Sequence, residues 1–518
     1  MGKDCQSNSP PKLEISGPSH TLTCPLHDAS FDLKTGLPVR GPCSGNLDIF
    51  KSEVDDDGNV WITDKQGVDS DQAKPGNFGG SLNVAIVGGG AAGAAAIASL
   101  RAQGFEGKIH LISKEFVLPY DRPLLSKAGR LSLDDVLLKG ISDTRNFQAF
   151  LGWEVIEVQP DHLTMKKGQN IEKLFFDAAL VCTGAEPRDI AALKGPNIFQ
   201  LRSWADAEAI RAAVSKSLSS LSIFSSKESP PSILIIGSSF LGLETAASIA
   251  SIAPLATVTV VGLEEVPMER VFGKPIGRVI KKLMEQKGIK FITGSVSEGS
   301  ENSVTLGNGE KIKFDMAVLA IGVKPTVPII HGALRSTDGS VVVDSSLKAS
   351  GPIFAAGDCV TLPLPRGMGR IEHWNSAMDQ GRLAAQGIAN YLRKQEEDTL
   401  TELKSAPIPC PFFWSSLFGQ TVRFCGHLGR WEELIVEGDL EAGNFIAFYI
   451  DKDDMVAGVV GMGDFGDQMM PVAGFLMNRQ WSLETNQTGE NIMPRGSDLK
   501  KSNSPCKIIQ GLVHGRTQ

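Results

Sequence analysis

Two glycine-rich turns, 149 residues apart, constrain this chain more than anything else in its sequence. The first, Gly88-Gly89-Gly90-Ala91-Ala92-Gly93, follows the apolar run Asn83–Val87 and opens a helical stretch over Ala91–Gln103. In a strand-turn-helix unit with this spacing, one glycine allows the tight turn and one lets backbone amides reach a pyrophosphate. The last lets the helix pack on the strand, and the helix N-terminus attracts the anion. Gly88, Gly90, Ala92 and Gly93 are therefore candidate nucleotide contacts. The second turn, Gly237-Ser238-Ser239-Phe240-Leu241-Gly242, follows Ser232–Ile236 and opens a helix over Leu241–Ile252. Ser239 replaces the middle glycine at a modest cost to backbone approach, while Gly237, Leu241 and Gly242 keep the pattern. Glu115 and Glu264 each stand 22 residues beyond the last glycine of their turn, near where a carboxylate holds a ribose hydroxyl.

Two such units require alternating strands and helices. Lys108–Ser113, Ala178–Cys182, Thr257–Val261 and Met316–Ile321 read as further buried strands, so parallel sheets built from βαβ units are expected. Polar stretches rich in Gly, Pro and Ser at 70–81 and 216–231, and a charged one at 394–408, divide the chain. Beyond the last, Glu433–Val436, Asn444–Ile450 and Met455–Gly461 are amphipathic strand-like runs of a separate α+β domain. Length alone, 518 residues, allows about three or four domains. No apolar run reaches the ~18 residues a bilayer span needs, so no integral membrane span is expected. The net charge of −8 argues against nucleic acid as a partner. Eight widely spaced cysteines make no disulfide framework and no leader is evident, so a reducing, cytoplasmic setting is expected.

Two nucleotide turns imply two bound dinucleotides, a flavin and a nicotinamide, because a hydride must pass between them. Acids at Glu264 and Glu265 would repel a 2′-phosphate, which favours NADH over NADPH, although Gly262 occupies the strand end where an acid often sits. Thr183 and Gly184 follow one buried strand and Gly322 follows another. Ile353-Phe354-Ala355-Ala356-Gly357-Asp358 adds an acid at a strand end, suited to a flavin ribityl hydroxyl.

Together with Leu118-Pro119-Tyr120-Asp121-Arg122-Pro123-Leu124-Leu125-Ser126-Lys127, these elements resemble the FAD-dependent pyridine-nucleotide oxidoreductases, and among them the apoptosis-inducing factor and ferredoxin-reductase branch. Further matches are Arg188, Phe240 and Glu244, Glu372-His373-Trp374, and Pro411-Phe412-Phe413-Trp414-Ser415. The cysteine pair that glutathione-reductase-like relatives carry is missing, which excludes a dithiol relay. The resemblance implies that Arg122, Lys127, Arg188 and Asp358 hold FAD, that His373, Trp374 and Trp414 lie near the isoalloxazine, and that Phe240 and Glu244 face the nicotinamide. Lys127, Glu244, His373 and Trp414 are then the candidate catalytic residues, with the charge of Lys127 favouring the reduced flavin. Lys114 stands where apoptosis-inducing factor itself carries the ribose acid, leaving Glu115 as the second choice. The implied fold class is α/β, with two Rossmann-like dinucleotide-binding domains in a glutathione-reductase-like arrangement. Expected boundaries are 81–215 and 326–403 for the FAD domain, 216–325 for the NAD(P)H domain, and 404–518 for an α+β C-terminal domain.

Residues 1–72 resemble part of an all-β Rieske module, with Cys24-Pro25-Leu26-His27 as the second ligand loop. A Rieske [2Fe-2S] cluster takes two thiolates and two imidazoles. Counting back from Cys24 gives Cys5-Gln6-Ser7, so Ser7 stands where the fourth ligand belongs, and Cys5 lies where preceding strands are absent. Three readings stay open: a remnant that binds no cluster, a truncated product, or substitution by His20. We expect an empty or unstable cluster site. The implied activity passes hydride from NADH to FAD and electrons on to a one-electron acceptor, a Rieske-type cluster or a ferredoxin-like protein. Alternatives are a redox-sensing, pro-apoptotic signalling flavoprotein with little turnover, or a reductase of a small oxidised metabolite. A homodimer and a mitochondrial association also stay open.

Overall fold

The computed structural model describes residues 14–16, 21–24, 29–41, 47, 49–55, 60–66, 77–127, 131–141, 144–219, 230–365, 367–396, 408–468, 495–502 and 504–506. Within them the same local construction occurs twice. The strand Asn83–Val87 is followed by a turn at Gly88 (φ +123°) and helix α1, Ala91–Ala102. The strand Ser232–Ile236, which comes after helix α2 of Trp204–Ser219, is followed by a turn at Gly237 (φ +118°) and helix α3, Phe240–Ile252. Equivalent hydrogen bonds tie both copies: Gly88 N–H donates to Ile112 O and Gly237 N–H to Val261 O, each at 2.8 Å. The strand starts repeat too, since Asn83 N–H donates to Asp177 and Ser232 N–H to Asp315, each at 2.7 Å.

The first copy belongs to a six-stranded sheet in the order Lys348–Ser350, Ile353–Ala355, Ala178–Val181, Asn83–Val87, Lys108–Ser113, Phe147–Leu151. All pairs are parallel except the first. The second copy belongs to a five-stranded, wholly parallel sheet in the order Ile198–Gln200, Met316–Leu319, Ser232–Ile236, Thr257–Gly262, Lys290–Thr293. Continuous β-branched and aliphatic runs suit strands covered on both faces, and Val84, Ile86, Ile109 and Ile235 are fully buried. The long helix α5, Trp374–Glu396, lies against α1. Between them in sequence runs α4, Glu269–Gln286, which kinks at Gly273 (φ +77°).

The C-terminal strands form an antiparallel sheet in the order Phe412–Leu417, Gln420–Gly426, Val456–Met462, Asn444–Ile450, Glu433–Asp439. Its inner face shares one continuous core with the second Rossmann unit, where Phe272, Phe424 and Phe445 pack together with Ile233 and Leu243. The described N-terminal residues are all-β, with a four-stranded antiparallel sheet from Glu14 to Arg40 and a hairpin of Ile49–Val54 and Val60–Gln66. This sheet is fastened to α5: buried Asp379 accepts from Gly41 N–H at 3.1 Å and from Arg382 at 2.7 Å, and Arg382 donates to Gly41 O at 2.8 Å.

The third glycine of each turn leaves no room for a side chain. A Cβ at Gly93 would sit 2.2 Å from Gly88 O, and one at Gly242 would sit 2.0 Å from Gly237 O. Since the obstacle is backbone, Gly242→Ala must push the helix off its strand and is expected to destabilise the protein by about 1–3 kcal/mol. Gly90→Ala, whose Cβ meets nothing within 4 Å, is the contrast and should leave the urea-unfolding midpoint nearly unchanged.

Candidate functional site

Both glycine turns open onto one cavity of about 980 Å³. Of the residues expected to bind cofactor, Gly88, Gly90, Ala92, Glu115, Arg122, Lys127, Thr183, Gly184, Phe240, Leu241, Glu244, Asp358, His373, Trp374 and Trp414 line it. Gly93, Gly237 and Gly242 stand behind the wall, where their role is the helix-to-strand approach. Glu264 is also off the wall. So are Arg188 and Gly322, which bond to each other, Arg188 N–H to Gly322 O at 2.9 Å, while the Arg188 guanidinium donates to Val323 O at 2.9 Å.

One end of the cavity is strongly polar. Arg122 is held by Glu115 and by Tyr120 Oη at 2.9 Å, and donates to Arg202 O at 2.7 Å. Glu115 also accepts from Tyr120 Oη at 2.7 Å. The expected ribose carboxylate is thus engaged with the arginine expected to hold the flavin. Arg202 was not legible in the sequence; it follows the short strand Ile198–Gln200 with no motif around it, yet its Nη2 lies 3.5 Å from Asp358 and it lines the cavity. Lys114 pairs with Glu186 at 3.2 Å and Glu154 at 3.5 Å. Two arginines beside the open turn Gly88–Gly90 suit a pyrophosphate, whose oxygens accept charge-assisted hydrogen bonds.

The other end is built where three parts of the chain meet. Glu244, on the first turns of α3, accepts from Ser126 Oγ and from Ser415 Oγ at 2.7 Å, and its carboxylate lies 3.6 Å from Lys127 Nζ. The Glu244 side chain is only 11% exposed, so this ion pair is not a surface one. Aromatic groups close the space: the His373 ring stacks on Phe413 at 4.1 Å, and Phe413 meets Phe240 edge-on at 4.9 Å.

FAD fits this lining: a Cβ at Gly90 would meet nothing within 4 Å, which leaves open space at the first turn, and Arg122, Arg202 and Asp358 on the wall offer charged partners to its polar part. Of the expected metal ligands, Cys24 alone falls among the described residues. Cys5, Ser7 and His27 lie outside the described residues, Cys24 is a free thiol, and no cluster of His, Cys, Asp and Glu suited to a metal occurs among the described residues. No described helix is long and apolar enough to cross a membrane.

Burial, reinforced by nearby His427, holds the His373 imidazole down at about 4. Between that value and the ordinary 6.5, the unfolded chain binds a proton that the folded protein refuses. His373 therefore costs nothing at neutral pH and destabilises progressively as pH falls through this window, by about 3 kcal/mol at most. Unfolding free energies at about pH 5 and about pH 7.5 should differ more in wild type than in His373→Gln. The same difference in both proteins would place the acid sensitivity elsewhere.

Comparison with known proteins agrees with this construction. Residues 82–381 match the pyridine nucleotide-disulphide oxidoreductase family and residues 412–493 match the reductase C-terminal family. Apoptosis-inducing factor 3 of Homo sapiens is 28% identical over 88% of this chain and 75% of its own length. The 3-phenylpropionate/cinnamic acid dioxygenase ferredoxin–NAD(+) reductase component of Photorhabdus laumondii is 31% identical, over 72% of this chain and 91% of its own. Among solved structures, the covalent putidaredoxin reductase–putidaredoxin complex shares the fold, with a TM-score of 0.68 at 23% identity, covering 83% of this chain and 98% of that one. With its two nucleotide turns on one cavity, the chain belongs to the pyridine nucleotide-disulphide oxidoreductase family and is an FAD-dependent NAD(P)H oxidoreductase of the apoptosis-inducing factor type.

Proposed function

We propose that this protein carries reducing equivalents from a nicotinamide dinucleotide at its second glycine turn, through FAD at its first, to a one-electron acceptor of the ferredoxin type. The observation that carries the reading is the single cavity lined by both turns, Gly88–Ala92 and Ser239–Leu241. FAD supplies, when bound, a hydride acceptor that releases electrons singly. Arg122, Arg202 and Asp358 bind and orient its polar part, and His373, Trp374 and Trp414 border the opposite end and keep water from it. Lys127 contributes a positive charge there, and Glu244, itself fixed by Ser126 and Ser415, holds Lys127 in position. Phe240 offers an apolar ring for a nicotinamide to rest on. No side chain has to remove a proton from carbon, so positioning and exclusion of water do the work.

The name of the Photorhabdus relative, a ferredoxin–NAD(+) reductase component, supports a ferredoxin-type acceptor. A Rieske-type cluster in residues 1–72 is the alternative acceptor. Optical and EPR spectra of the purified protein, oxidised and reduced, distinguish the two. Anaerobic mixing with NADH should bleach the flavin and support turnover of ferricyanide or a ferredoxin. Bleaching without turnover of any acceptor would instead favour a signalling role. Lys127→Ala removes one charge-assisted contact and is expected to slow flavin reduction roughly tenfold or more. An unchanged stopped-flow rate would remove Lys127 from the reaction.

A further inference from the structure

The strand Thr257–Gly262 ends in glycine where a dinucleotide site commonly places the carboxylate that accepts the ribose 2′-hydroxyl and repels a 2′-phosphate. The structure shows why no acid stands there. A Cβ on Gly262 would lie 2.3 Å from Ser238 Oγ and 2.7 Å from Ser238 Cβ, so the serine of the second glycine turn already fills the space. The carboxylates that follow in the loop are not free to repel an anion. Glu264 accepts from Arg270 Nε at 2.5 Å, and Glu265 pairs with Lys274 Nζ at 2.5 Å. Arg270 and Val271 line the cavity, as do Ser239 and Leu241 of the second turn. The Arg270 side chain is 73% exposed, whereas that of Glu264 is 21% exposed and off the wall.

These positions change the electrostatics expected from composition. Each acid has its own cation, and what faces the nucleotide is a guanidinium. The guanidinium, being the exposed partner, can turn from Glu264 without itself losing water, and it matches phosphate with two parallel hydrogen bonds. Resting on the reading of the second turn as the nicotinamide dinucleotide site, we propose that Arg270 reads the 2′ position of the adenosine ribose. It exchanges Glu264 for a 2′-phosphate when NADPH binds, and keeps its pairing with Glu264 when NADH binds. The protein therefore uses both donors.

The test takes the FAD-loaded full chain. Adenosine 2′,5′-bisphosphate should bind more tightly than AMP by titration calorimetry, and Arg270→Gln should erase that preference. The ratio of kcat/KM for NADPH to that for NADH in flavin reduction should fall about tenfold or more in Arg270→Gln. In Glu264→Gln, which frees the guanidinium, the ratio should rise. Equal binding of the bisphosphate and AMP to wild type, or a ratio unmoved by Arg270→Gln, would overturn the assignment. Reduction by NADH with no preference for the 2′-phosphate sinks this inference alone. Failure of both donors to reduce the flavin sinks the reductase reading, and the calorimetry still decides what Arg270 recognises.

Discussion

At both nucleotide turns a helix is pressed against its own strand with no side chain between them, and the rest of the molecule is arranged around those two contacts. Neither Gly93 nor Gly242 has room for a Cβ, which would fall 2.2 Å from the Gly88 oxygen and 2.0 Å from the Gly237 oxygen. The two contacts fix the direction in which each helix N-terminus points, and so where a pyrophosphate can be held. The same economy governs the next layer. Gly381 of α5 approaches Ala92 of α1 so closely that a Cβ would lie 2.2 Å from the Ala92 carbonyl. Seated in this way, α5 presents Trp374 and Asn375 to the cavity.

Much of this architecture could be read from residues in order. The strands Asn83–Val87, Lys108–Ser113 and Ser232–Ile236 have the bounds expected of them, because buried parallel strands are continuous apolar runs and glycines punctuate their ends. The expected helix Leu241–Ile252 begins one residue earlier, at Phe240. What the sequence could not convey was partnership. Nothing near Glu115 indicates that it would engage Arg122 and Tyr120, and nothing near Arg202 indicates a place beside Asp358, 156 residues away. The charge of Glu264 was visible, but its neutralisation by Arg270 depends on the turn that α4 makes before its kink.

The cavity is divided by chemistry as well as by position. Its arginine-rich end relies on charge-assisted hydrogen bonds, which tolerate water, and its aromatic end relies on excluding water. His373 belongs to the second regime, since burial keeps its ring neutral at ordinary pH where it stacks on Phe413. The N-terminal sheet is attached away from the cavity lining, through Gly41 on Asp379 and Arg382. Its seat is nonetheless on the helix whose first turn borders the aromatic end.

The Glu244 network has a kinetic consequence. Its serine partners are 118 and 171 residues distant along the chain, one in the segment before the second Rossmann unit and one in the C-terminal sheet. Contacts so remote form only after the chain between them has been ordered, because loop-closure entropy must be overcome first. Glu244 is thus expected to close late in assembly and to open early in unfolding. Weakening it should leave the folding rate alone and shorten the lifetime of the native state. The residue that pairs with Lys127 is also one of those that set how long the three units stay together.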